Sequence, residues 1–465
     1  MLEPTYQADV VVVGAGIAGL SAARRLTSAG VTTVVLEAAH EVGGRMATEK
    51  VDGFRLDRVG RLLSTAYPEL RRAPGLDGLV LRPFDPGVLL HSDGRHHRAG
   101  VQQRGARSAR GALHAVRALA GAPRPGGGPR RPVAVPGRQV SVPRSRSGAP
   151  LGTAVDQARL GAALTRLAGT PVERLLSRPE LPAAEALVAR GLPARTIDGF
   201  LRPLLTALLC DPDLTTSSRC ADLALHAFAS GRLCLPEGGA EALPQQLART
   251  LPPGTVHTGV RVTSVSTTSV TTAEHGEFRC GAVLVATGAR AAAELLPGLR
   301  VPGFHPVTVV HHTTDEPPAT GASLLLDADR GGPVAHTAVV SRVDPSRAPA
   351  GRTLVTSTVL GVPAPGVDTA VRMHLARLYG VPTARWETLA VRHTAEAVPA
   401  MRPPHDLRRS VRLLAGLYVC GDHRDTGSVQ GALHSAHRAA AAVLADLGVS
   451  GSLHSAEPVP TARAA

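Results

Sequence analysis

The sequence has few aromatic side chains and a single lysine. Of its 465 residues, 2% are Phe, Trp or Tyr, and every basic side chain other than Lys50 is arginine. Because 43% of the residues are hydrophobic, the cores of the protein must be built from Ala, Val and Leu. This composition excludes a disordered polyelectrolyte, and the length predicts two to four domain-sized units.

Paired cysteines and long apolar runs are also absent. The five cysteines form no CxxC pair, and their odd number argues against a disulfide framework. No uninterrupted apolar stretch reaches the roughly 18 residues that a membrane span needs. We therefore expect a cytoplasmic protein.

The net charge of +14 comes from one part of the chain. The segment from Arg98 to Ser147 holds eleven arginines and no Asp, Glu or Lys, whereas the rest has 40 basic and 37 acidic residues. The segment is rich in Gly and Pro and lacks the aromatic side chains on which bases stack, which argues against nucleic-acid binding. We interpret 98–147 as a flexible Arg/Gly/Pro-rich insertion. Two roles stay open, a solvated loop or peripheral contact with an acidic partner or membrane.

The strongest motif is a glycine turn between a strand and a helix. The sequence Gly14-Ala15-Gly16-Ile17-Ala18-Gly19 follows the run Asp9–Val13 and opens a helix over 17–28. Such a turn holds the pyrophosphate of a dinucleotide against the helix N-terminus. Glu37, followed by Ala38, ends the next strand; its carboxylate suits ribose hydroxyls and disfavours the 2′-phosphate of NADP. No second such turn follows a strand, so we expect no separate NAD(P)H site.

Further motifs lie towards both ends of the chain. They are Gly43-Gly44-Arg45, Gly60-Arg61-Leu62, Gly421-Asp422 and the start of the last helix with Val429, Gln430 and Ala432. With the glycine turn and the Val256–Gly288 region, they resemble the flavin-containing amine oxidase superfamily, which includes monoamine oxidases, protoporphyrinogen oxidases and phytoene-desaturase-like enzymes.

The resemblance implies FAD as the cofactor. It places Arg45 and the paired glycines at the pyrophosphate, Val262 at the adenine and Asp422 at the ribityl–phosphate region. The last helix would direct its positive end at the flavin C2 carbonyl, and Gly60-Arg61-Leu62 would pass near the reactive face. The implied activity is that of an FAD-dependent oxidoreductase, of oxidase or desaturase type, which takes a hydride from a C–H bond onto flavin N5.

The chain departs from the amine oxidases of this superfamily at two positions. Many of them place a lysine at flavin N5. The only lysine of this chain is Lys50, soon after the glycine-glycine-arginine motif, so the lysine at N5 is missing. Their C-terminal motif often supplies one wall of an aromatic cage, where this chain has Ser428. Both absences argue against an amine oxidase. Helical walls rich in Leu and Ala, with few aromatic side chains, suggest an apolar or bulky small-molecule substrate, with oxygen or another electron acceptor. Two alternatives stay open, an amine oxidase that releases hydrogen peroxide and a non-redox flavoprotein such as an isomerase.

The catalytic residues stay unknown from the sequence, and motif position alone suggests Arg61 and His423. The 19 histidines form no HExxH motif, so we expect no metal site. The predicted fold class is α/β, with a discontinuous Rossmann-like FAD-binding domain and an α+β substrate domain containing an antiparallel sheet. The FAD-binding domain would comprise 1–75, 219–296 and 397–465, and the substrate domain 76–218 and 297–396.

Overall fold

The computed structural model describes residues 6–100 and 150–449. Most of the predicted insertion at 98–147 therefore lies outside the described residues. Its first two residues end a strand, because Arg98 pairs with Leu89 and donates a hydrogen bond to the Ser323 hydroxyl. The prediction of a loop was thus wrong for Arg98 and Ala99.

Strands in the described residues form two large sheets and two small ones. They are β1 (Tyr6–Val13), β2 (Thr33–Glu37), β3 (Thr48–Val51), β4 (Phe54–Asp57), β5 (Leu63–Ser64), β6 (Leu81–Pro83), β7 (Val88–Ser92), β8 (Arg95–Ala99), β9 (Leu233–Pro236), β10 (Val256–Thr258), β11 (Val262–Val265), β12 (Ser269–Thr272), β13 (Glu277–Val285), β14 (Phe304–Thr314), β15 (Leu325–Asp327), β16 (Val334–Val339), β17 (Thr353–Leu360), β18 (Glu387–Pro399), β19 (Arg412–Leu414) and β20 (Leu417–Val419).

The helices flank these sheets. They are α1 (Ile17–Ser28), α2 (Pro68–Arg72), α3 (Ala154–Ala168), α4 (Val172–Leu176), α5 (Ala183–Ala189), α6 (Ala194–Thr196), a π-helical turn (Ile197–Leu201), α7 (Arg202–Leu209), α8 (Ser218–Ser230), α9 (Ala242–Arg249), α10 (Ala289–Leu295), α11 (Val340–Val343), α12 (Val367–Tyr379) and α13 (Val429–Asp446). Within the described ranges, no helix has both the length and the apolar character that crossing a bilayer requires.

The first sheet positions the site. Its strand order is β10-β2-β1-β13-β12-β11, and β20 pairs with the second half of β13. Strands β10, β2, β1, β13 and β20 run parallel, so their carboxyl ends meet at one edge of the sheet. The four valines that end β1 are buried between α1 and α13 on one face and α10 on the other, which is why this strand is an uninterrupted apolar run.

The second sheet has the order β18-β14-β17-β16-β15-β7-β8 and is largely antiparallel. One face packs on α12, and the other packs on a helical layer built from α3 to α8. The predicted α/β class with an antiparallel second sheet is confirmed.

Helix α8 begins near a predicted domain boundary. The division placed residues from 219 onward in the FAD-binding domain, but α8 packs against α3, α4, α5 and α7. Its buried Ala221, Leu225 and Phe228 belong to the core of the helical layer. The helix therefore lies with the substrate-domain helices, and the three-segment division otherwise stays a prediction.

Candidate functional site

Each glycine of the first turn meets a different steric requirement. Gly14 has φ +104°, a conformation that side chains rarely adopt. A Cβ on Gly19 would lie 1.9 Å from the Gly14 carbonyl oxygen, so only glycine lets α1 approach β1 this closely. A Cβ on Gly16 would meet nothing within 4 Å and would project into open space. The turn thus leaves an unfilled cradle at Gly16, at the N-terminus of α1.

Glu37 braces this turn. One carboxylate oxygen accepts a hydrogen bond from the Ala15 N–H at 2.7 Å, and the other accepts from the Ala39 N–H at 2.9 Å. Both oxygens keep lone pairs for a further donor such as a ribose hydroxyl. Glu37 therefore has a structural role that the motif alone did not indicate.

An ion pair joins the two ends of the chain at the site. Arg45 donates to Asp422 Oδ1 at 2.6 Å and to the Ala397 carbonyl at 2.9 Å. Burial would raise the pKa of Asp422, but the Arg45 guanidinium outweighs it and holds this pKa below its usual range. The carboxylate is therefore ionised at neutral pH, and it fixes the glycine-glycine-arginine motif against the C-terminal turn.

The last helix begins beside this pair. Its N-cap is Ser428, whose hydroxyl accepts from the Gly431 N–H at 3.1 Å. Gln430 points elsewhere, because its side-chain oxygen accepts from the Glu69 N–H at 3.0 Å. The start of α13 therefore presents Val429 and Ala432, but not Gln430, to the site.

These elements line a cavity of about 1280 Å³ at the carboxyl edge of the first sheet. The structure brings together most of the predicted cofactor residues along its wall. They are Gly14, Gly16, Ala18, Glu37, Ala38, Gly43, Gly44, Arg45, Arg61, Val262, Gly421, Asp422, Val429 and Ala432. Ala15, Gly19, Gly60, Leu62 and Gln430 are not part of this wall, although Ala15 and Gly19 shape the turn.

The two suggested catalytic residues have different surroundings. Arg61 lines the cavity and donates to the Cys210 sulfur at 3.0 Å and to the Gly427 carbonyl at 3.2 Å. His423 is 1% exposed, and neither of its ring nitrogens has a hydrogen-bond partner among the described residues. Burial lowers the pKa of His423 to about 4, so the ring is neutral. The structure does not bring His423 to the cavity wall.

The dimensions and the donors of the cavity fit FAD. Its volume exceeds the roughly 300–1,000 Å³ of ordinary small-molecule pockets. The open space at Gly16 and the N-terminus of α1 suit a pyrophosphate, and the wall runs from Glu37 and Val262 to the N-terminus of α13. One end can therefore take an adenosine and the other a flavin.

Comparison with known proteins decides the family. Residues 17–444 match the family model described as flavin-containing amine oxidoreductase. The chain belongs to this family. Membership confirms the predicted resemblance, the use of FAD and the class of FAD-dependent oxidoreductase.

Individual proteins with a similar sequence match this flavoprotein over short stretches only. Putrescine oxidase of Kocuria rosea is 43% identical over 100 residues, 20% of each chain. A limonene dehydrogenase component of Castellaniella defragrans is 36% identical over 97 residues, 20% of this chain and 18% of the relative. The chain thus spans about a fifth of the length of these curated relatives.

Solved structures match over nearly the whole length. One of them is an oxidoreductase from Methanosarcina mazei, with a TM-score of 0.66 and 16% sequence identity. The match covers 92% of this flavoprotein and 99% of the M. mazei chain. At this identity the likeness establishes the fold alone.

Sequence reasoning missed the part of the cavity wall that the second sheet supplies. Phe304 from β14 and Arg392, His393, Thr394 and Glu396 from β18 line this flavoprotein's cavity. It also missed Cys210, the partner of Arg61 at the C-terminal end of α7. These residues carry no motif, because strand pairing and not local sequence brings them to the site.

Proposed function

We propose that this flavoprotein removes a hydride from a C–H bond of an apolar or bulky small molecule, as a dehydrogenase, desaturase or oxidase. The position of its single lysine is the observation that carries this proposal. Lys50 lies on the β3–β4 hairpin, and 65% of its side chain is exposed. Its Nζ is 3.9 Å from Glu241 Oε1, and the residue does not line the cavity. The chain therefore has no lysine to serve the role that many amine oxidases of this family give to one.

The surroundings of Arg61 support an apolar substrate. Val59, Cys210, Val307 and Val309 belong to one buried apolar cluster next to it, and of these four Val59 lines the cavity. A Cβ on Gly60 would lie 3.7 Å from Val309 Cγ2, so this stretch packs against the second sheet. An apolar wall at Val59 favours contact with an apolar group over a charged amine, which would lose its hydration there.

FAD, when bound, supplies the two-electron acceptor for such a step. The chain's own residues hold and orient the reactants. The glycine turn, Glu37, Arg45 and Asp422 would hold the cofactor, and Val59 would offer the substrate an apolar contact beside Arg61. Reoxidation would then fall to oxygen or another acceptor.

The names of two relatives indicate different classes of substrate. One is called a limonene dehydrogenase component and the other a putrescine oxidase, so the family likeness alone favours neither class. The aliphatic surroundings of Arg61 and the exposed Lys50 favour the first.

Anaerobic reduction of the purified holoprotein tests the proposal. We expect loss of the oxidised flavin absorbance with one member of a panel of terpenes, polyenes and tetrapyrrole precursors, and no loss with putrescine or benzylamine. Rapid bleaching by a simple amine, with hydrogen peroxide formed on admission of air, would establish an amine oxidase instead. No bleaching by any member, with a turnover product nevertheless detected, would indicate a non-redox flavoprotein.

A further inference from the structure

A second group of polar side chains lies apart from the cofactor cavity, at the edge of the second sheet. His91 is on β7, Asp327 ends β15, and Asp329 follows in the next loop. None of the three lines the cavity. One donor atom from each lies within 4.8 Å of the other two.

The hydrogen bonding of the group leaves one nitrogen without a partner. His91 Nδ1 is fully buried and has no hydrogen-bond partner among the described residues. It lies 3.9 Å from Asp327 Oδ1 and 3.8 Å from Asp329 Oδ2, beyond hydrogen-bond distance of either. A buried unpaired nitrogen facing two carboxylates is the arrangement that a shared cation would satisfy.

Neighbouring groups hold the two carboxylates in place. The Val334 N–H donates to His374 Nδ1, so His374 Nε2 carries its proton and donates to Asp327 Oδ2 at 3.0 Å. The Ser92 hydroxyl donates to Asp329 Oδ1 at 2.8 Å. A histidine and a hydroxyl that orient coordinating carboxylates are typical of the outer shell of metal sites.

Positive side chains do not neutralise the pair of carboxylates. Within the described part of the chain, the ion-pair partners of Asp327 and Asp329 are histidines and no arginine. The nearby Arg377 donates to the Gly331 carbonyl instead. The two adjacent carboxylates accept hydrogen bonds from the backbone N–H groups of Asp93, Asp329 and Gly331, which are neutral donors. The pair, of which Asp327 is 3% exposed, therefore lacks a compensating cation.

We propose that His91, Asp327 and Asp329 bind a divalent zinc ion, with water completing its coordination. One imidazole nitrogen and two carboxylate oxygens form a donor set that suits Zn²⁺ better than the all-oxygen ions Ca²⁺ and Mg²⁺. Zinc ligands at about 2.0–2.2 Å stand about 3.4 Å apart in a tetrahedral site. The three donors lie within 4.8 Å of one another, so they must move closer together to bind the ion. Asp329, whose side chain is 41% exposed, would make most of this movement and would lengthen its hydrogen bonds from the Ser92 hydroxyl and the Asp93 N–H.

The ion would join the β7–β8 hairpin to the end of β15. Strands β7 and β15 already pair in parallel from Leu89 to His91, and zinc would fasten this ladder where it ends. The site is separate from the cofactor, so its role is structural and does not depend on the proposed substrate.

Zinc analysis of tag-free holoprotein tests this inference. The protein is first stripped with a chelator, then given Zn²⁺ and passed through gel filtration. We expect it to retain one equivalent of zinc and to melt at a higher temperature than the stripped protein. Its zinc K-edge spectrum should show one imidazole among N/O ligands. His91→Gln and Asp329→Asn should each retain less than about a tenth of the zinc while keeping FAD. Asp315→Asn, which changes a 76% exposed carboxylate elsewhere, should retain it fully.

Two outcomes would overturn the inference. The wild-type protein could retain no zinc, or the His91 and Asp329 variants could retain as much as the wild type, which would show an adventitious ion only. Because the zinc count of the wild type is measured on folded, FAD-loaded protein, a variant that fails to fold does not affect this result.

Discussion

At the scale of single residues, the glycine turn separates folding from cofactor binding. Gly19 serves the fold, because any Cβ there would overlap the Gly14 carbonyl. Gly16 lines the cavity, and a Cβ there would meet no protein atom within 4 Å, so we propose that this glycine serves the ligand. The sequence pattern predicted both glycines, but the structure shows that their substitution should have different consequences.

Gly16→Leu should therefore abolish FAD retention in a folded protein. The leucine side chain would occupy the cradle for the pyrophosphate, and we expect at least about a tenfold loss of bound flavin per protein with far-UV circular dichroism unchanged. Gly161→Leu is the matched control, since Gly161 lies on α3 with open space around it and should keep its flavin. Retention of flavin by Gly16→Leu would mean that the phosphate site lies elsewhere.

At the scale of elements, the start of α13 has two tasks. The Ser428 hydroxyl caps the helix, and Ser428, Val429 and Ala432 form part of the cavity wall. The cap keeps the backbone turn in place where the positive end of the helix faces the cavity. Helix stability and cofactor affinity should therefore change together at this position.

Ser428→Ala should lower both quantities. Loss of an N-cap costs about 1 kcal/mol of the free energy of unfolding, and the displaced helix start should weaken FAD binding severalfold. Thr153→Ala is the control, because Thr153 caps α3 in a capping box remote from the cavity. It should lose similar stability in urea unfolding without changing the FAD dissociation constant. Equal FAD affinities in both variants would contradict a role for the α13 cap in the site.

Local pattern predicted some elements well and missed others for a physical reason. The bounds of α1 match the predicted helix over 17–28, because its glycine turn and apolar face are encoded nearby. In the region 256–272, by contrast, β10 pairs in parallel with β2, and the hairpin forms between β11 and β12. Pairing with a strand more than 200 residues away leaves no signal in the local sequence.

At the scale of the whole molecule, the site is assembled from distant parts of the chain. Arg45 meets Asp422, and Arg61 meets both Cys210 and Gly427. Sequence motifs predicted that Arg45 and Asp422 belong to the site. No motif indicated Cys210 or the residues of β18 that line the cavity, because these reach the site through the packing of the second sheet. The group of His91, Asp327 and Asp329 escaped the sequence in the same way, since 236 residues separate His91 from Asp327.

Buried neutral histidines should make the stability of the whole molecule sensitive to mild acid. Burial lowers the pKa of His311, His312, His336 and His423 to about 4 each, against about 6.5 in the unfolded chain. Between these values the unfolded state binds more protons, so stability falls as the pH decreases from about 6.5 to about 4. Each histidine contributes up to about 1.4 kcal/mol per pH unit.

His312 isolates one such contribution. It is fully buried against Trp386, and neither ring nitrogen has a hydrogen-bond partner in the described residues. Its replacement in His312→Leu should reduce the pH slope of the unfolding free energy by about one proton between about pH 6.5 and 4. Val362→Leu, which changes an 82% exposed side chain and no titratable group, is the control and should leave the slope at the wild-type value. Urea titrations at half-unit pH steps measure both slopes. Parallel curves for His312→Leu and wild type would mean that His312 does not stay neutral in the fold, and the acid sensitivity would then have to come from the carboxylates.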